Sequence, residues 1–277
     1  MNIGVIGRGF VGGAIYKFLT NHSPHPTYSY DITDDLDIND GYLNIIENCE
    51  IIYLCLPTPM DKEGRCYTEI VENSLSLLNR YAIQLSVKPI ILIKSTLVPG
   101  TTNRLQLQFD GLTIVVNPEF LTERNAEEDF RRSSRHVLGI PSNSDILGRK
   151  LENYYKAMWP HAEVIKVLPT AAELIKYVIN SYLAVRVGVA NHISEICSLL
   201  DIDYNNLIEI IHNSDSRLGS SHWQVPGPDG NLGFGGSCFP KDLSGLIKLF
   251  EDKNLDSSIF KAAQEYNMKI RNDDENN

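Results

Sequence analysis

At 277 residues, 43% of them apolar, the chain has material for one large domain or two smaller ones, which excludes a disordered or fibrous protein. A formal net charge of −10 leaves no basic face for general nucleic-acid or anionic-membrane binding, and no apolar run reaches the length of a membrane span. The five cysteines, Cys49, Cys55, Cys66, Cys197 and Cys238, have neither C-x-x-C spacing nor flanking histidines, so neither a disulfide framework nor a metal site is expected.

The chain enters a strand-like run at Asn2 with no basic leader, and a cytoplasmic location is the expectation. Strands are predicted near 2–6, 27–31, 50–56, 89–95, 112–117 and 135–140, with helical patterns between most of them. A helix near 143–158 and a short strand near 162–167 follow. This rhythm predicts an α/β fold, a doubly wound parallel sheet covered on both faces, ending near Leu168. Pro169-Thr170 opens a long helical pattern reaching about Leu200, with Thr170 as its N-cap. Its apolar residues, among them Leu174, Ile175, Val178, Ile179, Val185 and Val189, occupy more than one stripe. A helix of roughly 45 Å that is apolar on two sides needs two partners. One is its own sheet domain; the other is a second subunit, giving a homodimer through residues 170–200, or else further helices of the same chain. Helices near 203–213, 240–253 and 256–270 come next, with an irregular loop from Ser216 to Phe239 and a fraying tail from Asn272. The expected division is therefore 1–168, a nucleotide-binding sheet domain, and 169–277, the long helix with a small all-helical dimerisation domain.

Gly7-Arg8-Gly9-Phe10-Val11-Gly12 is a G-x-G-x-x-G run set directly after the first strand and opening a helix. Gly7 makes the tight turn, Gly9 lets the backbone approach a pyrophosphate, and Gly12 allows close packing of helix on strand. The motif alone is weak; its context strengthens it, because the second strand ends in Asp31, nineteen positions past Gly12, where a carboxylate accepts from the ribose hydroxyls. No arginine follows Asp31 to receive a 2′-phosphate, and Asp34, Asp35, Asp37 and Asp40 repel one, so NAD is expected rather than NADP.

Gly233-Phe234-Gly235-Gly236-Ser237-Cys238-Phe239-Pro240-Lys241-Asp242 is the most informative stretch. Its glycines let the backbone lie against a ligand, and Pro240 suits the first turn of the helix that follows. Cys238 then precedes a helix N-terminus with Lys241 close in sequence, and both the dipole and a cation favour the thiolate, so it is the candidate nucleophile. Lys176 and Asn180, four apart on the long helix, project from one face. Leu56-Pro57-Thr58-Pro59, Ser95-Thr96 and Asn117-Pro118-Glu119 each follow a strand, at the carboxyl ends where such sheets bind ligands.

Taken in order, GVIGRGFVG, LPTP, KSTLVPGTT, NPEFLTERNAEEDF, AAELIKYVINSYLAVRVGVANHISEIC, SDSRLG and GFGGSCFPKD resemble the UDP-glucose/GDP-mannose dehydrogenases through most of the chain. The resemblance implies a Rossmann-type NAD-binding domain and a four-electron oxidation of a nucleotide-sugar C6 alcohol to a carboxylate, with two NAD used in turn. It makes Cys238 the nucleophile of a thiohemiacetal and then a thioester. Lys176 and Asn180 would stabilise the oxyanion, and Thr96, Glu119 and Asp242 would organise proton transfers, with Glu119 as base. Glu123 and Lys241 would face the cofactor, and Pro57, Thr58 and Ser95, with Thr96, would line its nicotinamide end. Phe120, Leu121, Phe234 and Gly235, with Lys176 and Asn180, would contact the substrate, and Arg217 would reach it from the neighbouring subunit.

The match departs from the family in several places, among them a shortened acidic stretch after Asp31. Members usually carry a further domain-sized segment that recognises the UDP, and the expectation here is a short form without it. Glu123-Arg124-Asn125-Ala126 replaces a glycine-containing run, and Asp229 stands where some members have a basic residue. Two other functions fit parts of the pattern. One is a 3-hydroxyacid-type alcohol dehydrogenase, which shares the Lys-x-x-x-Asn pair but has no use for the Cys238 loop; the other is a non-catalytic NAD-binding scaffold.

Overall fold

Short strands, of which the central ones, Ile3–Ile6, Ile51–Leu54 and Ile90–Ile93, carry no charged residue and are buried at every position, build the first half of the molecule. The computed structural model describes residues 1–122, 125–141 and 144–271. A seven-stranded sheet in the order β2-β1-β3-β4-β5-β6-β7 is formed by β1 (Ile3–Ile6), β2 (Thr27–Tyr30), β3 (Ile51–Leu54), β4 (Ile90–Ile93), β5 (Thr113–Val116), β6 (Arg135–Gly139) and β7 (Glu163–Val167). The connecting helices are α1 (Phe10–His22), α2 (Ile38–Asn48), α3 (Glu69–Leu85), α4 (Thr101–Gln108), α5 (Ala126–Arg131) and α6 (Asp145–Met158).

Alternation along each strand sends side chains to opposite faces, and both faces are covered. Ile52, Leu54, Ile91, Ile93 and Ile114 pack with Tyr42, Ile45, Leu75, Leu78 and Leu105 of α2, α3 and α4. Ile3, Val5, Ile51, Tyr53, Leu92 and Val115 pack with Ile15 and Leu19 of α1 and with Leu151 and Tyr155 of α6. This is the doubly wound α/β arrangement expected from the strand rhythm.

One step of the sheet differs from an all-parallel reading: β5 and β6 are antiparallel, meeting at Val116 and Gly139, while β6 and β7 are parallel. A parallel neighbour requires a crossover laid back along the sheet, usually a helix. Among the described residues the helix between β5 and β6 is the six-residue α5, about 9 Å long. That is shorter than the strand it would have to retrace, so the chain re-enters from the edge it has just left.

The long helix α7 (Pro169–Leu199) begins one residue before its expected N-cap. The Leu168 carbonyl accepts from Ala171 N and Ala172 N, both at 3.0 Å, so Pro169 takes the first helical position and Thr170 lies inside the helix. Glu173 ties this end down. Its buried carboxylate accepts from Gly100 N (2.5 Å), Thr102 N (2.7 Å) and Thr102 Oγ1 (2.6 Å), closing the exposed N–H groups of α4.

The chain divides into two compact units, one of Met1–Pro59 with Cys66–Lys176, the other of Met60–Arg65 with Tyr177 onward. The second contains the rest of α7, α8 (Tyr204–Ser214), α9 (Phe239–Asp252) and α10 (Ser258–Ile270). Its core joins Ala184 and Val187 of α7 to Phe234 and to Leu243 and Ile247 of α9. The short 60–65 segment is fastened to α9 by Ser244 Oγ donating to Gly64 O (2.9 Å) and by a two-pronged Arg65–Asp252 pair (2.6 and 2.8 Å).

Candidate active site

The strand order turns at β1, which has β2 on one side and β3 on the other, and the glycine turn leaves the sheet at that point. Gly7 has φ +84°, a conformation that strains any other residue, and its N–H donates to Tyr30 O (2.9 Å). A Cβ on Gly12 would sit 1.8 Å from Gly7 O, so helix and turn touch only because none is there. A Cβ on Gly9 would meet nothing within 4 Å, which leaves open space in front of the turn. Gly9 is the N-cap of α1 without a side-chain cap bond, and Phe10, Val11 and Gly12 supply the first N–H groups of the helix, which have no acceptor within it. A dinucleotide pyrophosphate fits this cradle.

Asp31, expected at the adenosine end, directly follows β2. Its Oδ2 accepts from Arg8 N (2.5 Å), and its Oδ1 accepts from Thr33 N (3.0 Å) and Thr33 Oγ1 (2.8 Å). The Arg8 bond, together with the Thr33 donors, holds its carboxyl below the usual carboxylate range despite partial burial.

The residues after β3, β4 and β5 stand at the same edge. Ser95 Oγ donates to Leu56 O (2.6 Å) and accepts from Leu56 N (3.1 Å), so it stitches two strand ends together. Pro57 is exposed and Thr58 buried. Thr96 is half-buried, and its carbonyl accepts from Cys66 Sγ (3.4 Å). Glu119 Oε2 takes the Leu121 N–H (2.6 Å), while Lys176 Nζ donates to Glu119 O (2.7 Å) and Oε1 (3.2 Å). The ammonium also lies 5.6 Å from the Phe120 ring centre. Glu119, Phe120, Leu121 and Lys176 are thus one cluster. Glu119, Phe120 and Leu121 line a cavity of about 340 Å³ together with Lys94 and His136. Glu123 lies outside the described residues.

Lys94 belongs to this cluster and is not among the expected residues. It follows the apolar strand β4, is 5% exposed, and donates to Asn117 Oδ1 (3.0 Å), which also accepts from Tyr155 OH (2.7 Å). Burial pulls its ammonium down to about 8. A lysine closing a run of isoleucines is the signal that marks it in the sequence.

The second unit holds the remaining residues. Cys238 is half-buried at the N-cap of α9, its sulfur 3.7 Å from Ser237 Oγ. Asp242 is fully buried one turn on; it accepts from Asn180 Nδ2 (2.6 Å) and pairs with Lys241. The Lys241 ammonium is therefore given to Asp242. Phe234 turns its ring into the core, and its backbone is held at both ends by Asn267, N to Oδ1 at 2.7 Å and O from Nδ2 at 2.9 Å. Gly235 leaves room for Arg271, whose guanidinium a Cβ would meet at 2.2 Å. Arg217 is exposed on a short 3-10 turn, paired with Asp215. Trp223 packs its own loop, donating to Gly219 O (3.0 Å). Among the described residues no group of histidine, cysteine and carboxylate side chains could hold a metal ion, and no helix is long and apolar enough to cross a membrane.

Residues 29–159 match the model of the UDP-glucose/GDP-mannose dehydrogenase family NAD binding domain, and residues 170–269 match that family's central domain. The chain is 30% identical over 304 residues to the UDP-glucose 6-dehydrogenase of Rickettsia prowazekii, covering 98% of this chain and 67% of that protein. It is 28% identical over 310 residues to the UDP-glucose 6-dehydrogenase of Haloferax volcanii, covering 96% of this chain and 69% of that one. A solved UDP-glucose dehydrogenase from Pyrobaculum islandicum superimposes with a TM-score of 0.83 at 26% identity, covering 97% of this chain and 68% of that one.

Proposed function

The chain belongs to the UDP-glucose/GDP-mannose dehydrogenase family, and on that premise we propose that it oxidises the C6 alcohol of a UDP-glucose-like nucleotide sugar to the carboxylate. The balance is one alcohol, two NAD⁺ and one water giving one carboxylate, two NADH and three protons. The working division is an NAD-binding part, 1–168, and a helical part, 169–277, that carries the cysteine.

The glycine cradle and Asp31 would hold NAD, with Pro57, Thr58, Ser95, Glu123 and Lys241 around the rest of it. NAD, when bound, accepts the hydride in each oxidation. In the first, Glu119 or a water it orients takes the alcohol proton as C6 becomes an aldehyde. Cys238 Sγ then adds to the aldehyde carbon, and Lys176 and Asn180 donate to the oxygen that gains charge. The second hydride loss turns this thiohemiacetal into a thioester. Thr96 and Asp242 order the water that cleaves it, returning the thiol. Phe120, Leu121, Phe234 and Gly235 would border the sugar nucleotide, and Arg217 would come from a second copy of the chain.

The observation that carries the reading lies within the second unit: Asn180 donates to Asp242, on the helix that Cys238 opens; within the first, Lys176 donates to Glu119. Each donor is already beside a group that the mechanism needs.

Stoichiometry tests it. A panel of nucleotide sugars followed by NADH absorbance should find a substrate that yields two NADH per molecule. A hydroxy-acid dehydrogenase yields one and a scaffold none. In Cys238→Ser, net acid formation should fall on the order of a thousandfold while NADH binding holds. Unchanged acid production in that variant defeats the mechanism.

A further inference from the structure

Arg8 sits inside the glycine turn, and it is held from three sides. Its N–H donates to Asp31 Oδ2 (2.5 Å), its guanidinium pairs with Asp34 Oδ1, and its Cζ lies 5.9 Å from the Tyr16 ring centre. Asp34 is fixed in turn, because its Oδ2 accepts the Asp31 N–H at 2.9 Å. The pair is partly open to solvent, with 31% of the Arg8 side chain and 29% of the Asp34 side chain exposed. Among the donors of the guanidinium, Nε is buried without a hydrogen-bond partner. An arginine is therefore present at the adenosine ribose after all, reaching it from before the helix and not from after the second strand.

Sites that accept NADP place an arginine near the ribose to take the 2′-phosphate. A guanidinium with a spare Nε–H and an Nη–H beside it presents the fork that binds a phosphate in two prongs. Here the Nη prong of that fork is taken by Asp34. We propose that Asp34 is the residue that makes this site refuse NADP, by engaging Arg8 and by adding a second carboxylate to that of Asp31 where the phosphate would lie. The inference rests on the reading that the glycine turn binds NAD. It assigns to Asp34 a discrimination that Asp31 alone performs only in part. Asp31 recognises the ribose hydroxyls, while Asp34 decides whether the neighbouring cation is available. The acidic residues that follow, Asp35, Asp37 and Asp40, add to the repulsion only at longer range.

The test is a titration of NADH and NADPH, read by nicotinamide fluorescence, against the full chain and three variants: Asp34→Asn, Arg8→Gln, and both together. Asparagine keeps an oxygen for the Asp31 N–H and removes the charge that holds Arg8. In Asp34→Asn the NADPH to NADH affinity ratio should rise about tenfold, the effect of one charge-assisted bond from Arg8 to the 2′-phosphate, and retained NADH binding shows that the turn is intact. The gain should vanish in the double variant, and Arg8→Gln alone should leave the ratio near that of the starting protein. An unchanged ratio in Asp34→Asn, or an equal gain when Arg8 is also replaced, overturns the proposal. A starting protein that binds neither nucleotide overturns the cofactor reading beneath it, and the two failures are distinguishable by that control.

Discussion

His136 enters the sheet at the second position of β6, 4% exposed, with its ring 4.4 Å from that of Tyr155 and 4.5 Å from that of Trp159. Its Nε2 is buried without a hydrogen-bond partner. Burial, helped by the nearby Lys94 charge, pushes its pKa down from 6.5 to about 3. The native state therefore keeps the ring neutral while the unfolded chain protonates it, so stability is whole above about 6.5 and is lost as pH falls toward 3. His136→Phe keeps a flat ring among Tyr155 and Trp159 and removes the proton. Urea midpoints of the two proteins should separate between pH 6 and 4, with the wild type losing about 1.4 kcal/mol per pH unit more than the variant. Parallel pH profiles would show that this ring does not titrate on unfolding. Single residues of this sort are the least legible part of the sequence. Lys94 and His136 are ordinary letters at strand ends until the fold buries them, and Arg8 escapes notice because a phosphate-binding arginine is expected after Asp31. The glycine turn is legible because its spacing demands the positive φ of Gly7 and the close approach at Gly12.

Elements are more legible than residues. Observed strand ends fall within two residues of the predicted ones, since an apolar run bounded by turn residues has little freedom in where it starts and stops. The antiparallel β6 is hidden for a related reason: alternation and apolar content are the same in either direction, so neither shows which way the strand runs. The start of α7 is a clearer lesson in what an element end requires. Glu173 reaches across to α4 and accepts three donors there. Burial pushes its carboxyl up, and the three donors pull it back. Glu173→Gln keeps the volume but turns an amide N–H₂ toward backbone N–H groups. The variant should lose about 2 kcal/mol of unfolding free energy at pH 7, measured by urea denaturation. No loss would mean that the α4 N-terminus is satisfied by solvent.

For the whole molecule, the exposed side of α7 is the feature that a single chain leaves unexplained. Leu174, Val178, Tyr182, Val189 and Ile196 are all exposed, and their spacings of four, four, seven and seven keep them on one stripe, roughly 33 Å long. Scattered surface apolar residues need no partner, but a continuous stripe along the longest helix does. A stripe that repeats along its own axis is self-complementary, so two copies packed α7 against α7 would bury it isologously. The chain also carries a formal charge of −10, which opposes random association and leaves an apolar seam as the way for two copies to meet. Sedimentation at micromolar concentration should give a dimer, and Val178→Glu with Tyr182→Glu should give a folded monomer, since both positions face solvent within one chain. If, as proposed, Arg217 reaches the sugar from the neighbouring copy, that monomer should also lose sugar oxidation while still binding NADH. A wild-type protein that sediments only as a monomer would remove both the seam and the shared arginine.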